Sequence, residues 1–497
     1  MSEHTRSDDW QAQPPPGGTA PWPPGAPPDY LRAPYGGQPV PLPRRRRRWM
    51  LGVVTAVVTA LVLGAGSFAA YTLLAGGRVA LDAQVPADAV AFAEINLDPP
   101  AGQKVAAMRF LRHLPGVKTP EKARDLTEGL LEPVIQSPAD RQKFAENVNP
   151  WLGRHAAVAA DPQGSRIEPI VLVEATDIGK ARAGLDELAR DERTPYGYVV
   201  AGQTVVLART QAVAQAAVDD AHRGSLHGND TFQRDVRLVG DDGVLTTWVD
   251  LSRVGSRSAN PLAAGLHGRV VAGLRFTDTA ADLTIRAVGL PQTALGTDTV
   301  GPRLATLPDD TGLALAFSGA DKVVRQAYDA AKKSDLSTAL ASLQERTGLV
   351  LPDDVAALLG SSTVVAIGGT EGRVDLGLIS HTDDVDTSRS AAARLLTLLG
   401  QDGTIEARPL PDGTVLANSS DYADRLGTPG KLGDSGLFRE TLPDLDAAQA
   451  ALYVDMRWLT RLGGRVSSGP LASVRSLGLT ARVSGDTATM RLRMVVG

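Results

Sequence analysis

Residues 79–497 contain an internal repeat, and this repeat constrains the fold more than any other feature of the sequence. Five landmarks recur in the same order at offsets of 205 to 210 residues. The pairs are Leu152-Gly153 and Leu359-Gly360, Gln203–Val205 and Gly413–Val415, Phe232 and Phe438, Trp248–Leu251 and Tyr453–Met456, and Gly289 and Gly497. Solenoid repeats are only about 20–50 residues long. We therefore predict two tandem, duplicated domains, residues 79–295 and 300–497.

Each copy shows the same order of predicted elements. The copies open with strands at Ala89–Asn96 and Thr311–Ser318, and helices follow at Ala101–Leu114 and Ala320–Lys333. Further helical sequence lies at Lys122–Ile135 and Leu336–Thr347. Hairpin, helix and hairpin patterns then complete a β-α-β-β-α-β order, which is typical of ferredoxin-like cores. This order predicts an α+β fold with mostly antiparallel sheets.

A basic run and an uncharged stretch precede the repeats. Arg44, Arg45, Arg46, Arg47 and Arg48 are followed by the 27 uncharged residues 49–75. A bilayer core of about 30 Å needs about 20 apolar residues, so this stretch predicts a single transmembrane helix. Because the arginines favour the cytoplasmic side, the repeats should be extracytoplasmic. A cleaved signal peptide is the alternative, but its apolar region would be shorter, about 7–15 residues.

The first 43 residues contain twelve prolines and few aliphatic side chains. Such a segment cannot bury enough apolar surface to offset the entropy cost of ordering. The composition predicts a disordered cytoplasmic tail with polyproline II character. The tail could act as a docking site for a proline-reading partner or simply as a spacer.

Composition excludes several classes of function. The chain has no cysteine, which rules out disulfides, thiolate nucleophiles and cysteine-based metal sites. Its formal net charge is −5, and the only dense basic run is at 44–48. A nucleic-acid-binding domain needs a basic face, so nucleic acid is not an expected partner.

The stretch Val85–Gly116, together with the tail, basic run and apolar segment before it, resembles a known family. The most specific part of this stretch is Asn96–Lys104, read as NLDPPAGQK. These features resemble an actinobacterial single-pass membrane protein family that is filed as a domain of unknown function, number 3352. The resemblance implies a membrane-anchored extracytoplasmic protein and assigns no reaction.

One polar cluster is a candidate binding site. Its members follow a predicted strand and begin the next predicted helix: Glu94, Asn96, Asp98, Gln103 and Lys104. Polar groups at a helix N-terminus can bind an anionic ligand. The alternative is an ordinary helix cap, with Asp98 as N-cap and Pro99 in the first turn.

Motifs for catalysis and metal binding are missing from the sequence. No Gly-x-Ser-x-Gly, Walker or His-Glu-x-x-His motif occurs. Ser435, in Gly433–Gly436, is better explained by a turn that both copies share than by a nucleophile. Asp383, Asp384 and Asp386 precede a predicted helix, where carboxylates complement the helix dipole. We therefore predict no metal, no cofactor and no catalytic residues.

The leading hypothesis is a non-catalytic binding or accessory module of the cell envelope. Its expected partners are the lipid bilayer and an envelope protein, a lipid or a wall precursor. An envelope enzyme with dispersed catalytic carboxylates is one alternative. A structural or signalling protein that acts through its proline-rich tail is the other.

Overall fold

A computed structural model describes most of the repeats and none of the N-terminal region. The described residues are 80–96, 99–114, 138–164, 166–191, 196–240, 243–256, 267–289, 295–332, 337–370, 373–399, 405–461 and 470–497. The predicted tail, basic run and apolar stretch lie outside these residues, as does the predicted helix Lys122–Ile135. Within the described part of the chain, no helix is both long enough and apolar enough to cross a membrane.

The described residues form sixteen strands. They are β1 Ala91–Asn96, β2 Leu152–Gln163, β3 Arg166–Ala175, β4 Gly197–Ala201, β5 Thr204–Ala208, β6 Leu245–Asp250, β7 Arg269–Phe276, β8 Ala280–Val288, β9 Leu313–Ser318, β10 Ser362–Thr370, β11 Arg373–His381, β12 Glu406–Leu410, β13 Gly413–Ala417, β14 Ala450–Asp455, β15 Val474–Ser484 and β16 Thr487–Val496.

Fourteen α-helices occur in the same residues. They are α1 Ala101–Arg112, α2 Pro138–Asn147, α3 Ile178–Asp191, α4 Gln211–Arg223, α5 Asp230–Arg237, α6 Leu251–Ser256, α7 Gly301–Ala305, α8 Ala320–Lys332, α9 Ser337–Thr347, α10 Asp353–Leu359, α11 Val385–Leu399, α12 Ser420–Leu426, α13 Gly436–Thr441 and α14 Met456–Arg461.

All sixteen strands belong to one antiparallel sheet. Their order is β12-β13-β11-β10-β9-β14-β15-β16-β8-β7-β6-β1-β2-β3-β5-β4. Each half contributes eight strands. Counted from its outer edge to the joint, each half has its corresponding strands in the same order. The two halves meet where β8 pairs antiparallel with β16, from Val288 opposite Thr487 to Ala280 opposite Val495.

The predicted fold class is therefore wrong in two respects. The halves are not separate tandem domains, because the last strand of each half completes its hydrogen bonds on the other. A ferredoxin-like core is also wrong, since β1 lies beside β2 and pairs antiparallel with it. The predicted transmembrane helix, residues 49–75, lies outside the described residues and stays a prediction. The antiparallel pairing itself is as expected.

The strand register also corrects one of the sequence offsets. Ala201 pairs with Thr204 in the β4–β5 hairpin, and Leu410 pairs with Gly413 in β12–β13. Thr204 therefore corresponds to Gly413 and not to Thr414. In β4–β5 the turn contains Gly202 at φ +60°, a conformation that suits glycine, whereas the second copy turns through Pro411-Asp412.

Both halves bury their main aromatic cores on the same face of the sheet, here called the core face. Phe232 of α5 packs edge-on against Trp248, with ring centroids 5.4 Å apart. Phe438 of α13 packs in the same way against Tyr453 at 5.0 Å. Helices α4 and α5 cover the core face in the first half, and α12 and α13 cover it in the second.

Candidate functional site

The polar cluster predicted from sequence is divided between the two faces of the sheet. Glu94 lies on the core face, two residues from buried Phe92, and its Oε1 is 3.1 Å from His155 Nδ1. Asn96 lies on the same face at the end of β1. Asp98 lies outside the described residues, so its predicted capping role stays a prediction.

Gln103 has a structural contact on the opposite face. Its Nε2 donates to the Phe276 carbonyl at 3.1 Å, and its Oε1 accepts from the Phe276 N–H at 2.9 Å. These bonds fasten the first turn of α1 to the end of β7. Lys104 follows on α1 and is half-buried. The structure therefore does not bring Glu94 and Gln103 together.

Capping explains the polar motifs that the sequence placed before helices. Ser435 Oγ accepts from the Phe438 N–H and caps α13, as Asn229 caps α5 by accepting from the Phe232 N–H. Asp384 Oδ1 accepts from the Thr387 N–H at the start of α11. No group of three or more His, Asp or Glu side chains in the described residues could hold a metal ion.

The face opposite the core face carries an unbroken row of apolar side chains, here called the leucine row. Every strand contributes one member, and each member lies directly opposite the next in the strand register. In sheet order the members are Ala407, Leu416, Leu378, Val365, Leu315, Leu452, Leu479, Leu492, Leu283, Leu274, Leu245, Ile95, Ala156, Val173, Val205 and Val200. No polar or charged side chain interrupts the row.

Helices bury only parts of the leucine row. Helix α1 packs Ala107, Phe110 and Leu111 against the cluster that contains Leu245 and Leu274. Helix α3 belongs to the cluster around Val205. Between β13 and the strands that α1 covers lies a six-member stretch, here called the open row: Leu378, Val365, Leu315, Leu452, Leu479 and Leu492.

The open row is incompletely covered. Leu315 is 37% exposed, and the other five members are half-buried. On the same face, the next row along β11 adds Leu376, also exposed at 48%. A soluble antiparallel sheet normally turns polar side chains towards water on its uncovered face. Leucines at these positions therefore need a different explanation.

The two faces of the second half show an inverted size pattern. In β9, small Ala314 and Ala316 point to the core face, whereas Leu313 and Leu315 point away from it. In β11, Gly377 lies on the core face, where an added Cβ would stand 2.2 Å from Leu426 Cδ1. Close packing of α12 thus requires small residues on the core face. It does not require leucines on the other.

A separate polar cleft lies on the core face at the β8–β16 joint. Its volume is about 320 Å³. The lining side chains are mostly arginines, threonines and aspartates: Thr284, Arg286, Asp444, Asp446, Thr480, Arg482, Thr489 and Arg491. Arg491 is held by Asp282 at 3.0 Å and by Asp444. Burial lowers the pKa of Arg491, but its bonds to Asp282 and Asp444 outweigh this and raise it overall.

One carboxyl group outside this cleft has a raised pKa. Asp161 in β2 is fully buried, and burial raises its pKa above 3.8, while a hydrogen bond from Gln163 opposes the rise. Its Oδ1 has no hydrogen-bond partner. Asp161 lies four strands from the joint and does not line the cleft. It gives no specific support to the enzyme alternative.

Comparisons with known proteins leave the family open. No family model matches the chain, and it matches neither a curated protein nor a solved structure. The resemblance to the actinobacterial family therefore stays a prediction.

Sequence reasoning missed the leucine row. Its local signal is the alternation in segments such as Leu313–Ser318 and Arg373–His381. Alternation shows that a strand has two faces, but only the register between strands shows that the leucines form a continuous row.

Proposed function

We propose that this protein is a non-catalytic binding module of the cell envelope, which holds the acyl chain of a lipid along the open row. One observation carries the proposal: six apolar side chains lie in register on six neighbouring strands and remain partly exposed. Apolar surface of this kind on a folded protein marks a place where an apolar partner is bound.

The length of the open row suits an acyl chain. Six strands are separated by five steps of about 4.8 Å, which gives roughly 24 Å. The hydrocarbon core of a bilayer is about 30 Å thick and holds two leaflets, so one chain extends about 15 Å. A lipid chain can therefore lie along the row with all of its length in apolar contact.

The composition of the row favours a lipid over a protein partner. Protein interfaces are anchored by buried tyrosine, tryptophan and arginine, together with hydrogen bonds. The open row contains only leucine and valine, and its strands are paired on both sides, so their backbone groups are occupied. Such a surface offers burial and dispersion contacts alone, which are what an acyl chain can use.

The extracytoplasmic location at the cell membrane belongs to the same proposal. It is supported by the position of the arginine run before the uncharged stretch in the sequence. Proteolysis of intact cells from outside checks it. Fragments from residues 80–497 should be released or degraded, whereas complete protection would contradict this location.

Photo-cross-linking tests lipid binding in the full-length protein. Membranes that contain the protein are supplied with a photoactivatable palmitic acid, irradiated and digested, and the adducts are mapped by mass spectrometry. We expect adducts on β9, β14 and β15. Leu315→Glu should lower their yield by about tenfold or more, because a carboxylate would have to be buried against the chain.

The matched control is Val323→Glu on α8. Val323 is 42% exposed, close to the exposure of Leu315, but it lies outside the leucine row. This variant should keep the adducts on the open row. Equal loss in both variants, or adducts confined to residues outside the sheet, would overturn the proposal.

A further inference from the structure

The cleft at the β8–β16 joint has the chemistry of an anion-binding site. Arg286 and Arg482 both face it, and Thr489 lies directly opposite each of them in the register. Arg286 Nη1 donates to Thr489 Oγ1 at 3.1 Å, while its Nε is buried without a hydrogen-bond partner. This N–H group lacks an acceptor, and an anionic ligand could supply one.

The positive charge of the cleft is only partly neutralised. Arg491 is engaged by Asp282 and Asp444, whereas no carboxylate of the described residues forms an ion pair with Arg286 or Arg482. Guanidinium groups bind phosphate through paired N–H donors, and threonine hydroxyls can donate to the remaining oxygens. Thr284, Thr480 and Thr489 provide these hydroxyls.

The cleft also has an acidic side. Asp444 lies just before the turn Leu445–Ala447, and Asp446 lies within it. Both are exposed carboxylates that can accept hydrogen bonds from ligand hydroxyls. A volume of about 320 Å³ exceeds what one inorganic phosphate needs. The ligand should therefore combine a phosphate with several hydroxyl groups.

We propose that this cleft binds a polyol phosphate, with the phosphate at Arg286 and Arg482 and the hydroxyls at Asp444 and Asp446. The site lies on the face opposite the open row, so it is independent of the proposed acyl-chain binding. Such a phosphate could belong to a soluble sugar phosphate or to the headgroup of a lipid.

Calorimetry with the full-length protein tests the soluble form. Glucose 1-phosphate is titrated as the probe, with glucose and inorganic phosphate for comparison. We expect glucose 1-phosphate to bind most tightly. Both Arg482→Gln and Arg286→Gln should weaken its binding by about tenfold, because each removes a charged hydrogen bond. Arg482 is exposed, so its replacement should leave the fold intact.

The control is Arg325→Gln, which removes an exposed arginine of α8 that pairs with Asp353. It should bind glucose 1-phosphate as the wild type does. Co-sedimentation with phosphatidylinositol vesicles, against phosphatidylcholine vesicles, tests the headgroup form with the same variants.

Binding of either probe that falls in the two cleft variants but not in Arg325→Gln supports the site and identifies its source. Absence of binding to both probes overturns it, as does binding that the cleft variants leave unchanged. Vesicle binding that depends on Leu315 and not on Arg482, together with no binding of glucose 1-phosphate, would overturn the cleft while leaving the proposed function intact.

Discussion

The two halves of the sheet share their strand order but differ in what covers the leucine face. In the first half, α1 lies over β7 and β8 and buries Phe110 completely. Its counterpart α8 packs against α9 and α10 instead, and only Ala320 of that helix is buried. Duplication has thus kept the strand order and changed the helices, which leaves the leucine row open in the second half alone.

The lengths of the connections explain this difference. Four residues, 97–100, separate β1 from α1, whereas Gly319 alone separates β9 from α8. Gly319 has φ +79°, and its N–H donates to the Ser361 carbonyl at 2.7 Å. Such a tight turn holds α8 beside the end of β10. The longer connection lets α1 lie over β7 and β8, where its buried residues belong to one apolar cluster with Val474 and Val496 of the second half.

A second difference lies under the matching aromatic pairs. In the first half, Asp235 Oδ2 accepts from Trp248 Nε1 at 2.9 Å and from Arg269 Nε at 2.6 Å. At the corresponding place in the second half, the hydroxyls of Thr441 and Ser476 are 2.5 Å apart. The same position thus holds an ionic network in one half and a neutral hydroxyl pair in the other.

The largest effect should come from truncating the buried ring that packs helix α1 onto the sheet. Phe110→Ala deletes a fully buried ring that packs on Phe276 at a centroid distance of 5.1 Å. We expect a loss of about 4 kcal/mol in the free energy of unfolding, measured by urea denaturation. Tyr328→Ala in α8 is the control and should cost about 1 kcal/mol or less. Similar losses would mean that α8 is packed as firmly as α1.

The buried polar pairs should give the next largest contrast. Asp235→Ala leaves partly buried Arg269 and the Trp248 N–H without their acceptor, and we expect a cost of about 3 kcal/mol. Thr441→Val removes two neutral hydrogen bonds, one to the Leu437 carbonyl and one with Ser476 Oγ, and should cost about 1–2 kcal/mol. Thermal denaturation of both variants measures the difference. An equal cost would show that the ionic network adds nothing beyond the hydroxyl pair.

The smallest effect is a dependence of stability on pH. Asp161 has a raised pKa in the fold because it is buried. As the pH rises through 3.8, the unfolded chain ionises first, so the fold loses stability until the pH exceeds the folded pKa. Asp161→Asn should therefore raise the melting temperature at pH 7 and lose this advantage near pH 3.

Asp177 provides a control of opposite sign. The Lys180 N–H donates to its Oδ1 at 3.0 Å, and this bond lowers the pKa of Asp177. Its stabilising effect is present above 3.8 and is lost as the pH falls through the lower folded pKa. Asp177→Asn should therefore lower the melting temperature at pH 7. Shifts of the same sign in both variants would contradict the assigned causes.

Sequence patterns located individual elements well and their assembly poorly. The predicted helix Ala320–Lys333 is observed as Ala320–Lys332, and the predicted strand Val374–Ser380 as Arg373–His381. Local periodicity carries this information because it reflects burial of one side of an element. Glu94 and Gln103 of the predicted polar cluster reach opposite faces of the sheet, because adjacency in sequence does not show which face a side chain reaches.

By itself, the sequence determined the positions of these strands, the two-fold repetition and the pairing of Phe232 with Phe438 and of Trp248 with Tyr453 as equivalent residues. Tertiary structure alone decided that β8 joins β16, that α1 packs over β7 and β8, and that one apolar side chain from each strand falls into a single row. The reason is physical. Alternation within a strand is a local property, whereas register, edge pairing and helix placement depend on contacts between residues that are distant in the chain.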